Sequence, residues 1–266
     1  MKTLKIGALE YTAAEGIGAI HAFTTRLGGV SEGVYESLNL RAHRGDCDEN
    51  VRRNYEILAT ALGFSLPGLI ATHQVHSDTV RVVSRADMQP LLSTWPDCDA
   101  LITATPGLTL AIFTADCTPV LLWDAHSGAV GAAHAGWRGT ALDIAGKTAR
   151  AMCRELGCKP GDLHAAIGPN IGQCHFEVGA EVPRAMRQAY GEAAEAAIRP
   201  QGDKFYVNLK ALNALSLRRA GVENIEISSE CTACSSARYW SHRLTGDARG
   251  SQGALITCGV GRQEGL

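Results

Sequence analysis

Two periods of apolar residues run through this chain. Between positions 48 and 62, Val51, Tyr55, Leu58 and Leu62 recur at three- and four-residue spacing, which predicts a helix over DENVRRNYEILATAL with Asp48 as its N-cap and Gly63 as its stop. A second helix is predicted from Thr140 to Leu156, burying Ala141, Ala145, Thr148 and Met152 and ending at Gly157. Two more are predicted from Glu181 to Tyr190 and from Leu209 to Ala220. Short apolar runs predict strands at Val80 to Val83, Ala100 to Thr103, Leu108 to Phe113, Val120 to Trp123, Ala129 to His134, Leu163 to Ile167 and Ile225 to Ile227. Several strands follow one another between Val80 and His134 with no helix between them. That order favours antiparallel or mixed pairing over the βαβ alternation of a Rossmann fold. The expected fold is α/β (α+β): a layered sandwich with a mixed β-sheet and flanking helices. No linker, charge block or 20 to 50 residue repeat divides the chain, so one domain over 1–266 is expected.

Composition narrows the function classes. Apolar residues make up 45% of the chain and charged residues 20%, enough to build a core and unlike a disordered protein. A formal charge of -2 supplies no basic field for a phosphate backbone, so no nucleic acid partner is expected. Lys5, Glu10 and Glu15 interrupt the N-terminal apolar stretch as a secretory signal would not allow, and no segment reaches the roughly 18 apolar residues of a membrane span. A cytoplasmic protein without membrane contact is the expectation. Nine cysteines, an odd number in a long chain, read as reduced thiols. Cys231 and Cys234 form a CxxC, but a zinc ribbon needs a second such pair and the sequence has none, so these two read as ordinary thiols.

Three segments carry zinc-competent side chains beside a turn or strand end: THQVHSDTV at 72–80, TADCTPVLL at 114–122 and GAAHAGWRGT at 131–140. Imidazole and thiolate both suit zinc, and three protein ligands with an open fourth position characterise catalytic rather than structural sites. One thiolate leaves a formal charge near +1, which favours an anionic oxygen at the open position. Either His73 or His76 can supply the first ligand, because residues three apart on an extended segment face opposite ways. The competing readings are an inert buried Cys117 and a metal clip in a non-catalytic binding module. Laccase chemistry needs about ten histidines, many in HxH pairs; the chain has nine histidines and no HxH. No HxE followed by PCxxC, the signature of zinc deaminases, is present either.

TTRLGGVSEGVYESLNL at 24–40, QVH at 74–76, DCDALIT at 97–103, TADCTPVLL, HAGWRGT at 134–140 and IGPNIGQCHFEV at 167–178 together resemble the YfiH-like family over nearly the full length. That family is also called multicopper polyphenol oxidase, laccase-domain or peptidoglycan editing factor proteins, and its members are regarded as purine nucleoside phosphorylases. The resemblance selects His76 over His73 and implies a zinc site of His76, Cys117 and His134, with copper able to enter in vitro. It implies cleavage of adenosine or inosine by phosphate to base and ribose 1-phosphate, with methylthioadenosine as a further substrate and adenosine deaminase as a side activity. Purine nucleoside and phosphate are then the partners of a monomer or weak dimer.

Within the matched motifs, Arg26 and Arg138 are expected at the anion, Asp116 as proton carrier or imidazole orienter, and Ser37, Asn39 and His175 against the substrate. Alternatives suggested by the family's other names are a copper-dependent polyphenol oxidase and a hydrolase of peptidoglycan precursors. RYWSHRLTGDARGSQGALI at 238–256 departs from the family's FFSHRR-like pattern, with Leu244 where a second arginine is expected.

Overall fold

The computed structural model describes residues 1–261. Three strands open the chain: β1 (Lys2–Ile6), β2 (Leu9–Ala13) and β3 (Ala19–Thr24). Helix α1 (Asp48–Leu62) follows, then β4 (Leu69–Ala71), β5 (Val80–Val82), β6 (Ala100–Thr103), β7 (Thr109–Thr114), β8 (Thr118–Asp124) and β9 (Val130–Ala135). Helices α2 (Trp137–Ala141) and α3 (Ile144–Leu156) lead to β10 (Leu163–Ile167) and β11 (Glu177–Val178). The remainder is α4 (Glu181–Tyr190), β12 (Ile198–Gln201), β13 (Lys204–Val207), α5 (Leu209–Arg219), β14 (Asn224–Ile227), α6 (His242–Thr245) and β15 (Gln252–Gly261).

The class is mixed α/β, with two large sheets where one was expected. The first runs β1-β2-β3-β15-β7-β4 and the second β14-β10-β8-β9-β6-β5, while β11-β13-β12 form a small third sheet. Both large sheets are mixed: β4 runs parallel to β7, β5 to β6 and β10 to β14, and the other pairs are antiparallel. Side-chain alternation explains the stacking. On β7, Leu110 and Ile112 join a core with Leu101, Leu121, Val130 and Ala132 of the second sheet, while Ala111 and Phe113 face the other way. That outer face of the first sheet meets Val51, Tyr55 and Leu58 of α1. In the second sheet Ile102, Val120, Leu122 and Ala133 point outward to Ala145, Ala149 and Met152 of α3 and Leu217 of α5. The layers are therefore helix, sheet, sheet, helix, and the central strands, covered on both faces, read as nearly continuous apolar runs.

Helix α1 ends as predicted at Gly63, whose φ of 77° permits the left-handed cap. Its N-cap is Cys47, with no side-chain cap bond, so Asp48 is the first helical residue and its charge acts on the helix dipole instead. The helix predicted from Thr140 to Leu156 is two helices. Asp143, at φ 65°, breaks it, and its carboxylate accepts from Ser216 Oγ of α5 and pairs with Arg150. The short polar side chain of aspartate tolerates the left-handed region better than most residues.

The pairing pattern decides where chemistry can gather. β8 and β9 are antiparallel with Thr118 opposite Ala135, and β6 and β9 are antiparallel with Ala100 opposite Ala133. The starts of β5, β6 and β8 and the ends of β9, β10 and β14 consequently lie at one end of the second sheet. Six chain segments, remote in sequence, emerge there together.

Candidate metal centre

Three of those segments deliver His76, Cys117 and His134. Their ligand atoms all lie within 4.8 Å of one another, and the imidazole centroids of His76 and His134 are 4.9 Å apart at 63°. Cys117 immediately precedes β8, His134 sits near the end of β9, and His76 lies in the segment before β5 with φ 60°. Gly136, the residue after β9 and the N-cap of α2, brings its backbone close to all of this. A Cβ there would stand 2.7 Å from His76 Nδ1 and 3.2 Å from Cys117 Sγ, so only glycine leaves room for the ligands.

Asp99, the residue before β6, holds the His134 imidazole and the His76 backbone, and was missed by sequence reasoning. It is fully buried. Its Oδ1 accepts from His134 Nδ1 at 2.8 Å and from the His76 N–H at 3.1 Å, and its Oδ2 from the N–H and Oγ of Ser77 at 2.6 and 2.8 Å. Because a carboxylate only accepts, His134 Nδ1 carries a proton and Nε2 is left for a ligand. Burial alone would raise the Asp99 carboxyl; the bonds from His134 and Ser77 overcome it and hold it down at about 2. Burial likewise opposes a charge on His134, yet Cys117 and Asp99 raise it to about 9. An incoming cation must therefore displace a proton there. His76 is shifted the other way, first by burial and then by His134, which leaves it a neutral donor. Two imidazoles and a thiol on a preformed frame fit a borderline-soft divalent ion such as zinc.

The ligands open into a cavity of about 700 Å³. Phe113, Trp137 and Phe176 line it, as do Arg41, Arg44, Arg138, Arg243 and Arg249. Arg138 lies over the Trp137 ring at 4.3 Å, and Arg243 over Phe176 at 5.7 Å while donating to the His175 and Glu177 carbonyls. Arg41 is pushed below the ordinary arginine range, first by burial and then by the charge of Arg44, with Arg249 adding to it. Among the described residues, Arg249 Nε is buried without a hydrogen-bond partner.

The other sequence-derived candidates divide. Arg138 lines the cavity, whereas Arg26 is not among its lining residues: it stacks on Trp240 at 3.9 Å and donates to the Ser236 carbonyl. Ser37 and Asn39 are framework. Ser37 Oγ accepts from the Gly28 and Gly29 N–H groups, and Asn39 is fully buried between Asp46, Arg41 and Ser251. Asp116 lines the cavity but orients no imidazole. Its carboxylate accepts from Thr232 Oγ1, Ser241 Oγ and the Arg243 N–H, and its φ of 87° marks a tight turn. His175 faces three sulfurs, with Nδ1 at 3.3 Å from Cys174 Sγ, 3.4 Å from Cys234 Sγ and 3.8 Å from Cys231 Sγ. The two thiols of the CxxC thus meet a third thiol and an imidazole that their sequence spacing does not reveal, because topology supplies those neighbours.

Known proteins match along most of the chain. A purine nucleoside phosphorylase of Deinococcus radiodurans is 40% identical over 252 residues, 95% of this chain and 93% of its own length. Adenosine deaminase RL5, from an unknown prokaryotic organism, is 34% identical over 241 residues, covering 88% and 92%. The crystal structure of YlmD from Geobacillus stearothermophilus superposes with a TM-score of 0.90 at 33% identity, covering 96% of this chain and 97% of that one. The family model described as multi-copper polyphenol oxidoreductase laccase matches residues 20–259, and the chain belongs to that family.

Proposed function

We propose that this chain is a zinc-dependent purine nucleoside phosphorylase that cleaves adenosine and inosine, and also methylthioadenosine, with phosphate. The observation that carries the reading is the arginine set around the metal ligands, above all the buried Arg249 Nε that has no partner of its own. A buried N–H without an acceptor is costly unless a ligand supplies one. Arg41 and Arg249 bind the phosphate, and Arg138, fixed against Trp137, adds a charge-assisted bond. Phe113, Trp137 and Phe176 offer flat apolar faces to a purine. When bound to His76, Cys117 and His134, zinc supplies a Lewis-acid centre for an anionic oxygen. Asp99 holds the ligand imidazole, and Asp116 positions the Cys117 turn rather than moving a proton. A cavity of about 700 Å³ lies within the usual range for small-molecule sites of roughly 300–1,000 Å³.

The relatives named purine nucleoside phosphorylase and adenosine deaminase support a nucleoside as substrate. The decisive experiment incubates zinc-loaded protein with adenosine and with inosine, each with and without phosphate, and resolves the products by chromatography. Free base and ribose 1-phosphate appearing only with phosphate is the expected result. Inosine formed from adenosine without phosphate would identify deamination. No consumption at high enzyme concentration would overturn the nucleoside reading. Phenol oxidation that rises with added copper while phosphorolysis does not would mark the oxidase activity as copper entering the same ligands.

A further inference from the structure

Two groups of three or more metal-competent side chains close enough to share an ion occur among the described residues, and the proposed reaction uses only one. We propose that the other, Cys174, His175, Cys231 and Cys234, is a closed tetrahedral site for a structural zinc ion. This proposal does not rest on the nucleoside reading.

Geometry is the first support. With metal–sulfur bonds of about 2.3 Å and metal–nitrogen bonds of about 2.0–2.1 Å, the edges of a tetrahedron are about 3.8 Å between sulfurs and about 3.6 Å between sulfur and nitrogen. Cys174 and Cys234 Sγ are 3.6 Å apart, and the three sulfurs lie 3.3, 3.4 and 3.8 Å from His175 Nδ1. All four ligand atoms fall within 4.8 Å of one another. The sulfur pair is too distant for a disulfide, which needs about 2.05 Å. Unlike the first site, this one supplies four protein ligands and keeps no open position, the mark of a structural ion.

Local chemistry is the second. The Gly172 N–H donates to Cys231 Sγ at 3.1 Å, as backbone amides do to a charged sulfur. Three thiolates with zinc leave a net charge near -1. The buried Lys210, whose ammonium donates to the carbonyl of Glu230, the residue before Cys231, brings a positive charge to this side of the group.

Need is the third. Over 228–241, between β14 and α6, the chain forms no helix or strand apart from one bridge, Asn170 to Cys231, and although Tyr239 and Trp240 anchor its far end, the apolar cluster under the CxxC holds only three buried residues, Ile171, Cys231 and Ala233. Ordered segments of this length without secondary structure are uncommon inside a compact fold and are usually functional. An ion here ties that segment to the turn after β10 and fixes the His175 carbonyl that receives Arg243, so it shapes the wall of the large cavity.

The test is metal content of reduced, zinc-loaded protein by mass spectrometry. About two ions per chain are expected for the wild type, about one for the double variant His76→Ala/Cys117→Ser, and about one for Cys174→Ser/Cys234→Ser. If His76→Ala/Cys117→Ser binds no metal, or Cys174→Ser/Cys234→Ser retains the wild-type content, the proposal is overturned. Should the second variant fail to fold, the first alone decides. Loaded with cobalt, it should show the intense charge-transfer absorption of several thiolates and lose thermal stability on chelation. Its absence, or a Cys174–Cys234 disulfide that takes up no metal after reduction, overturns the assignment.

Discussion

Thr232 Oγ1 donates to Asp116 Oδ1 at 2.5 Å, and so joins the residue inside the CxxC turn to the one that precedes Cys117. Both groups are buried, and Asp116 also receives Ser241 and the Arg243 amide. Thr232→Val removes one donor from a buried carboxylate and should lower stability by about 1–3 kcal/mol while weakening metal retention at Cys117. Melting curves and chelator competition check both. An unchanged melting temperature would mean that water replaces the hydroxyl without loss.

Asp99→Asn should weaken metal binding about 10–100-fold, the usual effect of losing the carboxylate behind a ligand histidine. An amide has one carbonyl oxygen for the donors that Asp99 now satisfies from His134, His76 and Ser77. Zinc competition against a chromophoric chelator measures the effect. Wild-type affinity in the variant would show that His134 needs no orienting partner.

Gly136→Ala separates steric exclusion from folding. Gly136 has φ -64°, which alanine adopts freely, so the backbone is not strained. The added methyl, 2.7 Å from His76 Nδ1, should expel His76 from the ligand set. Metal content should fall far more than the melting temperature does. Full occupancy in a folded variant would count against His76 as a ligand.

Arg249→Met should raise the KM for phosphate about 10-fold or more, in keeping with the loss of a charge-assisted bond of about 1.5–3 kcal/mol, with metal content unchanged. Arg26→Met removes a cation stacked on Trp240 outside the cavity lining and should leave phosphate dependence as it is. Steady-state kinetics with varied phosphate distinguish the two. Equal effects from both variants would refute this placement of the anion.

Glu10 gives a pH signature remote from the site. Burial alone would raise its carboxyl, but bonds from Arg238 at 2.6 Å and Lys5 at 3.2 Å win and lower it. A depressed folded pKa contributes stability that is fully present above the unfolded value, about 4.3, and lost as pH falls through the folded one. The gap in melting temperature between wild type and Glu10→Gln should therefore be constant near neutrality and shrink below about pH 4. A gap that stays the same down to pH 3 would show that the pair contributes no linkage.

The strands from Ala100 to Ala135 were legible because they are buried on both faces and largely apolar, and that continuity is visible in any window of the chain. The N-terminal strands were not. β1 is largely exposed and carries Lys2 and Lys5, and β2 holds the buried Glu10, whose partner Arg238 lies 228 residues away. The break at Asp143 has no glycine or proline to announce it, and the partners of its carboxylate, Ser216 on another helix and Arg150 on the helix that follows, are not visible as such in the sequence. The three ligands His76, Cys117 and His134 stood out as residue types beside turns, yet choosing His76 required resemblance. Asp99 gave no signal, since a lone aspartate before a strand has many uses. The CxxC of Cys231 and Cys234 was visible but read as two ordinary thiols, and His175 as a substrate contact, because the side chains that meet in the group are 56 positions apart.

The turn of Ala115, Asp116 and Cys117 is the link by which the chain passes from β7 in the first sheet to β8 in the second. Cys117 is thus mounted on the seam of the sandwich, while His134 belongs wholly to the second sheet. The register of β8 on β9, with Thr118 opposite Ala135 and Pro119 opposite His134, holds the two donors at one end of that sheet, while the turn carries any strain between the layers. The filling between the sheets, Leu110, Ile112, Leu121 and Val130, sets the span this turn has to bridge, so the packing of the core and the placing of Cys117 are parts of one construction.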